Sequence, residues 1–229
     1  MAYAIDATSY RSPNHDTRPG LVRAIVLHSG EGTKASDLAT LCSDRVPPAQ
    51  RVSAHYYVDR AANIYQLVPD DLRAWHAGVS TYLGLANWND FSIGIETEHR
   101  SGQMWPPAQH AALAWLCRGL IARHTIQQPY VVAHRWIAPG RKSDPTNWPN
   151  IALNAWIADL YAPVPPPPPA PKVYRVAGLP VYQRQDLTGP LAGHLDSGAH
   201  VAIDATYENG AGHLASGLGF VDVDGLEAA

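Results

Sequence analysis

Two histidines occupy the same kind of place in this chain. His28 closes the segment AIVLHS and His134 closes YVVAH, and the residues before each are apolar enough for a strand buried on both faces. A histidine at the end of such a strand sits where the core stops and a cleft can begin. Beyond His134 the loop IAPGRKSDP places Lys142 eight and Asp144 ten residues further on. Two imidazoles and one carboxylate suit a zinc ion with its fourth position open, the arrangement of a catalytic rather than a closed structural site. Zinc brings the pKa of its bound water to about 7 and polarises a carbonyl, which makes an amide bond attackable near neutral pH.

Such chemistry needs a base. In SIGIETE, strand parity puts Ile93 and Ile95 on one face and Gly94 and Glu96 on the other, so Glu96 points away from its apolar neighbours, beside a glycine that leaves room. The alternative for Glu96 is a solvated carboxylate at a sheet edge. Lys142, close in sequence to Asp144, is placed to donate to a developing oxyanion, against the plainer reading of a surface charge.

The elements that must hold these groups alternate along the first part of the chain. Strands are expected at AIVLHS, at SAHYYVDR with its continuation NIYQLVP, at FSIGIETE and at YVVAH. Residues 107–124 read as a helix, with Leu113, Leu116, Leu120 and Ile121 at helical spacing and Pro107 in the first turn. ASDLATLCSDR reads as a second helix capped by Ser36, and PNIALNAWIADLY as a third. This is an α/β fold with a central mixed sheet flanked by helices. At 164–172 the run VPPPPPAPK breaks the pattern; a polyproline helix of that length is a stiff spacer of roughly 25 Å. It divides a domain at 1–163 from one at 173–229, whose short runs VYRVAG, LPVYQ, HVAIDATY and GFVDVDGL suggest a small all-β barrel.

The sequence has 229 residues, 46% hydrophobic and 16% charged, which is globular composition and enough chain for a full domain plus a smaller one. A net charge of −3 with no basic run argues against nucleic acid, and no stretch approaches a membrane span. Cys42 and Cys117 lie far apart and offer neither a disulfide framework nor a thiolate metal pattern.

The motifs SPNHDTRP, IVLHS, SAHYYVDRAANIYQLVP, RAWHAGVS, NDFSIGIETE and AHRWIAPGRKSDP stand in order over residues 9–161. This region resembles the type 2 N-acetylmuramoyl-L-alanine amidases, relatives of the peptidoglycan recognition proteins. The resemblance implies His28, His134 and Asp144 as zinc ligands, Glu96 as general base and Lys142 as oxyanion stabiliser. It also implies a structural His55, and His76 with Trp75 at the substrate groove. Some relatives carry a tyrosine just before the histidine of the SAHY motif, where this chain has Ala54, so the burden of catalysis falls on Glu96. Residues 173–229 look like a bacterial SH3-like module that binds cell wall.

The expected function is therefore zinc-dependent cleavage between N-acetylmuramic acid and L-alanine in peptidoglycan. The N-terminus MAYAIDATSYRSPNHD lacks the basic start and apolar core of a signal peptide. With a wall-binding tail, this suggests a phage-type endolysin made in the cytoplasm and released through a holin-type hole. A muropeptide-recycling amidase in the cytoplasm is the alternative. A non-catalytic peptidoglycan receptor would be marked by a lost ligand, and none is lost here.

Overall fold

In the computed structural model, the structure describes residues 3–163 and, in the remainder, the strand segments within 172–228. The chain divides into two compact units, Met1–Pro163 and Val164–Ala229. The strands of the first unit are β1 (Ile5–Asp6), β2 (His15–Thr17), β3 (Ala24–Leu27), β4 (Tyr56–Val58), β5 (Ile64–Gln66), β6 (Leu72–Ala74), β7 (Thr81–Tyr82), β8 (Leu85–Ala86), β9 (Ser92–Thr97) and β10 (Val131–Ala133). Its α-helices are α1 (Lys34–Leu41), α2 (Pro107–His124), α3 (His134–Ile137) and α4 (Asn150–Tyr161).

The central sheet runs β1-β5-β4-β9-β3-β10 and is mixed. Its middle strands β4, β9, β3 and β10 are parallel, while β5 returns antiparallel beside β4. Parallel strands need both faces covered, and the Ala-Ile-Val-Leu run of β3 is buried throughout. Ile25, Leu27, Ile93 and Ile95 face a core built with Leu113, Leu116 and Leu120 of α2 and Leu153, Ile157 and Leu160 of α4. On the opposite face Ala24, Val26 and Val132 meet Trp88, Phe91 and Ile137, and Leu38 and Leu41 of α1 cover Ala54 and Tyr57.

Pro107 opens α2, where its missing N–H costs nothing, and Thr125 ends it in the left-handed region at φ 54°. The Gln109 amide then donates to the carbonyls of Val58 and Glu98, tying the helix to two strand ends. Two expectations are corrected. The cap of α1 is Thr33, with Ser36 at the third helical position closing a reciprocal capping box, because Lys34 and Ala35 are already helical. The strand YVVAH stops at Ala133, and His134 is the first residue of the short helix α3.

The second unit forms an antiparallel sheet of strands β11 (Lys172–Arg175), β12 (Pro180–Tyr182), β13 (Leu191–His194), β14 (His200–Thr206), β15 (Ala211–Leu214), β16 (Phe220–Asp222) and β17 (Glu227–Ala228). They are ordered β13-β12-β16-β15-β14-β11-β17. The proline spacer at 164–171 and the side chains and connections that would define an SH3-like barrel lie outside the described residues. Among the described residues no helix is long and apolar enough to cross a membrane.

Leu113 is 1% exposed and sits between α2 and the sheet. Leu113→Ala should destabilise the first unit by about 2–5 kcal/mol, the range for a cavity-forming truncation. Urea unfolding followed by tryptophan fluorescence measures it, since all seven tryptophans precede residue 164.

Candidate metal centre and active site

Register builds the site. Leu27 of β3 pairs with Ala133 of β10 on one side and with Ile95 of β9 on the other, so the next residue of each strand path, His28, His134 and Glu96, emerges in a row. All three leave the carboxyl ends of parallel strands, where an α/β sheet opens its crevice. Asp144 comes to them on the loop after α3. That loop is clamped by the residue next to His134. Arg135 takes the Asp144 carbonyl on its backbone N–H at 2.9 Å, while its guanidinium donates to the Pro145 carbonyl, to the Trp148 carbonyl at 2.6 Å and to Asn150 Oδ1 at 2.9 Å. On the far side Thr146 is held by Ser29 and Glu31.

The result is a triangle of His28 Nδ1, His134 Nδ1 and Asp144 Oδ2. Its edges are 2.9 Å between the nitrogens, 3.3 Å from His28 and 3.1 Å from His134 to the carboxylate oxygen. Among the described residues this is the one group of three His, Cys, Asp or Glu side chains able to share an ion. The second nitrogen of each ring is engaged away from the triangle: His134 Nε2 lies 3.1 Å from the Ala77 carbonyl, which can only accept. His134 therefore carries its proton on Nε2 and turns a bare Nδ1 lone pair toward the carboxylate oxygen. Two lone pairs facing each other at 3.1 Å are reconciled by a cation between them. The donor set of two imidazoles and one carboxylate fits zinc with a position left open.

The electrostatics agree with a site for a cation. Burial lowers the His28 pKa to about 4, helped by repulsion from His134. Burial pushes Asp144 upward, but the His134 and His28 rings against it outweigh that and hold the carboxyl far below the usual range. Glu96 goes the other way: burial first, then the charges of Asp144 and Asp37, push its pKa well above the ordinary value, with Lys142 opposing. Its Oε1 is 4.0 Å from His28 Nδ1 and its Oε2 has no hydrogen-bond partner. It lines a cleft of about 160 Å³ with Gly30, Asp37, Thr40, Leu41 and Val52. Lys142 is exposed on the loop between α3 and Asp144, its backbone N–H bonded to the Ala138 carbonyl at 3.0 Å.

His76, expected at the substrate groove, instead lies buried behind His28. Its Nδ1 is 3.0 Å from His28 Nε2, and its ring lies against Gly94 so closely that a Cβ there would stand 2.3 Å from His76 Cγ. Trp75 is half-buried, its indole donating to Asp16 at 2.7 Å and its backbone N–H to Ser53 Oγ at 2.8 Å. His55 is fully buried and accepts the Gly94 N–H on Nδ1 at 2.9 Å, a structural bond between β4 and β9. Ala54 is buried, and the nearby phenols are committed elsewhere, Tyr56 to Asp70 at 2.6 Å and Tyr57 to Asp37 at 2.9 Å. Asp37 escaped the sequence reading. The signal for it is the pair Gly30 and Gly32, where any side chain would collide with its carboxylate.

Residues 16–147 match the family model Amidase_2, described as N-acetylmuramoyl-L-alanine amidase. The chain is 38% identical over 166 residues to the 1,6-anhydro-N-acetylmuramyl-L-alanine amidase AmpD of Salmonella typhimurium, covering 64% of this chain and 89% of that protein. It is 39% identical over 140 residues to the N-acetylmuramoyl-L-alanine amidase AmiD of Escherichia coli, covering 54% of this chain and 49% of that protein. The structure of E. coli AmiD in complex with the substrate anhydro-N-acetylmuramic acid-L-Ala-D-γ-Glu-L-Lys matches with a TM-score of 0.52 and 35% identity, over 65% of this chain and 62% of that one. A mutant endolysin from Bacillus subtilis matches with a TM-score of 0.50 over 69% of this chain and 99% of that one; at 24% identity it shares the fold alone.

The buried rings make stability depend on pH. Unfolded histidines titrate near 6.5, whereas folded His28 is held at about 4 and His55, by burial and then Arg18, at about 3. Between these limits the unfolded chain binds protons that the folded rings refuse, so the contribution of the neutral rings is complete above about pH 6.5 and is lost as the pH falls toward the folded values, with the raised Glu96 opposing it in part. The urea midpoint of the chelator-treated protein should decline steadily from pH 7 to pH 4.5. A flat midpoint would mean that the rings are solvated.

Proposed function

The chain belongs to the N-acetylmuramoyl-L-alanine amidase family, and from that premise we propose that it is a zinc amidase whose substrate is a soluble anhydro-muropeptide, cut between the muramic acid lactyl group and L-alanine. Peptidoglycan amidase activity follows from the family. The observation that carries the finer reading is the row of His28, His134 and Glu96 closed by Asp144, with Glu96 Oε1 4.0 Å from His28 Nδ1. The names and bound substrate of the relatives supply the anhydro sugar.

The relatives contradict the endolysin route. The curated relatives at 36–47% identity include AmpD proteins named for a 1,6-anhydro sugar, whereas the endolysin resemblance lies at an identity that shows fold only. Release through a holin-type hole has no remaining support, and the muropeptide-recycling alternative is the better reading of the activity.

His28, His134 and Asp144 would hold zinc, which when bound polarises the amide carbonyl and acidifies a water. Glu96, with one oxygen unpartnered and a raised pKa, takes the proton of the attacking water and returns it to the departing alanine nitrogen. The C–N bond breaks, leaving a lactyl carboxylate and a free amine. Lys142 donates to the oxygen that becomes negative as water adds. Trp75 serves as a wall for the bound muropeptide. The second unit, 173–229 after the proline spacer, serves as a peptidoglycan-binding module, raising local concentration without touching the chemistry.

Glu96→Gln should keep zinc, counted by elemental analysis, while turnover falls about 100-fold or more; Lys142→Ala should do likewise. Mass spectrometry of the products should show the anhydro sugar parting from a peptide that begins at L-alanine. A Glu96→Gln enzyme working at the parent rate would move the base elsewhere.

Residues 1–163 alone should cleave a soluble anhydro-muropeptide as fast as the full chain, because every proposed ligand lies within them. On insoluble sacculi the truncated protein should be slower. Equal rates on both substrates would remove the binding role of the second unit.

A further inference from the structure

Behind the two histidines that would hold zinc runs a second set of hydrogen bonds that none of the catalytic roles uses. We infer that the segment Trp88–Ser92 is a positioning device that fixes the ring proton of both histidines on Nε2, through His76 on one side and Ala77 on the other. The inference rests on the metal reading above only for its purpose, since the proton positions follow from the bonds themselves.

The polarity starts at a backbone carbonyl, which can only accept. The Ser92 hydroxyl donates to the Trp88 carbonyl at 2.5 Å, and that uses its single proton. Its contact with His76 Nε2 at 3.3 Å must therefore run the other way, with His76 donating. A neutral His76 that donates from Nε2 offers a lone pair on Nδ1, and the atom 3.0 Å from it is His28 Nε2. His28 thus donates from Nε2 and keeps Nδ1 bare toward the triangle. Each ring hands its proton state to the next, and the serine decides the sense of the whole relay.

The same turn controls the other ring. Asn89 Oδ1 accepts the backbone N–H of His76 at 3.0 Å and of Ala77 at 2.7 Å, which anchors the backbone of the residue whose carbonyl receives His134 Nε2 at 3.1 Å. Arg141 donates to that Ala77 carbonyl as well, at 2.6 Å, and to the Val79 carbonyl at 2.7 Å. Ser92 is fully buried and contacts neither the triangle nor the cleft that Glu96 lines. Gly94 completes the device, because the His76 ring occupies the space of its missing side chain. Outer partners that orient metal-bound histidines typically change metal affinity 10–100-fold when removed.

The test uses the full chain labelled with ¹⁵N at histidine. Long-range proton–nitrogen spectra should show His76, His28 and His134 as Nε2–H tautomers, in both the zinc-free and the zinc-loaded protein. Ser92→Ala frees His76 to take the Nδ1–H form, turns its donor onto His28 and should weaken zinc binding about 10-fold or more in competition with a chromophoric chelator. An Nδ1–H tautomer of His76 in the parent protein overturns the inference, as does a folded Ser92→Ala protein with parent zinc affinity. If Ser92→Ala does not fold, the parent tautomers decide. If the parent protein binds no zinc, the metal reading falls, while the zinc-free spectrum still judges the relay.

Discussion

Three electron-rich atoms meet within 3.3 Å of one another at the mouth of the sheet, and most of the first unit can be read as the scaffold that holds them against their mutual repulsion. Two come from adjacent parallel strands whose register is fixed by apolar faces, so neither can slip without exposing a core residue. The third is carried by a loop with little regular structure of its own. It stays in place because Arg135, one residue beyond His134, grips that loop at several carbonyls and an amide oxygen. Position along the chain thus becomes proximity in space: His134 and the arginine that clamps the loop carrying Asp144 occupy consecutive residues of one short helix.

The arrangement sets stability against function on the face that carries Glu96. Packing three imidazoles together in the interior, His28, His76 and His55, removes them from water and makes their charged forms unfavourable. An apolar core would be cheaper to fold, yet it would supply neither lone pairs nor a relay to direct them. On the opposite face the leucines of α2 and α4 provide ordinary hydrophobic burial that offsets this cost.

Much of this was legible in the residues, and the limits have physical causes. Strand parity puts Glu96 on the face opposite Ile93 and Ile95, and the burial of those two in the core marks which face is which. The two strand-closing histidines could be paired because buried parallel strands end at a common crevice. The depth of His76 was not legible, since RAWHAG has no periodicity and its ring is buried by a contact with Gly94, forty-eight residues from the His28 it touches being the distance in sequence across which its role is set. Asp37 was hidden for a similar reason: on a helix with an exposed face, its carboxylate reads as solvated until two glycines of the preceding loop are seen to make way for it. The cap of α1 was misplaced by three residues because Thr33 and Ser36 are both good capping residues and the choice between them is settled by where the chain leaves the sheet.

Gly94 also bears on how such a site can change over generations. A Cβ at 94 and a full imidazole at 76 cannot coexist, because the two would stand 2.3 Å apart. A lineage that first shortens the side chain at 76 opens the space and can then accept alanine at 94, whereas the reverse order passes through a protein whose sheet cannot close over that ring. The site therefore has an exit with a fixed sequence of steps: the relay must be abandoned before the glycine can be lost, and regaining the histidine afterwards requires the glycine to return first.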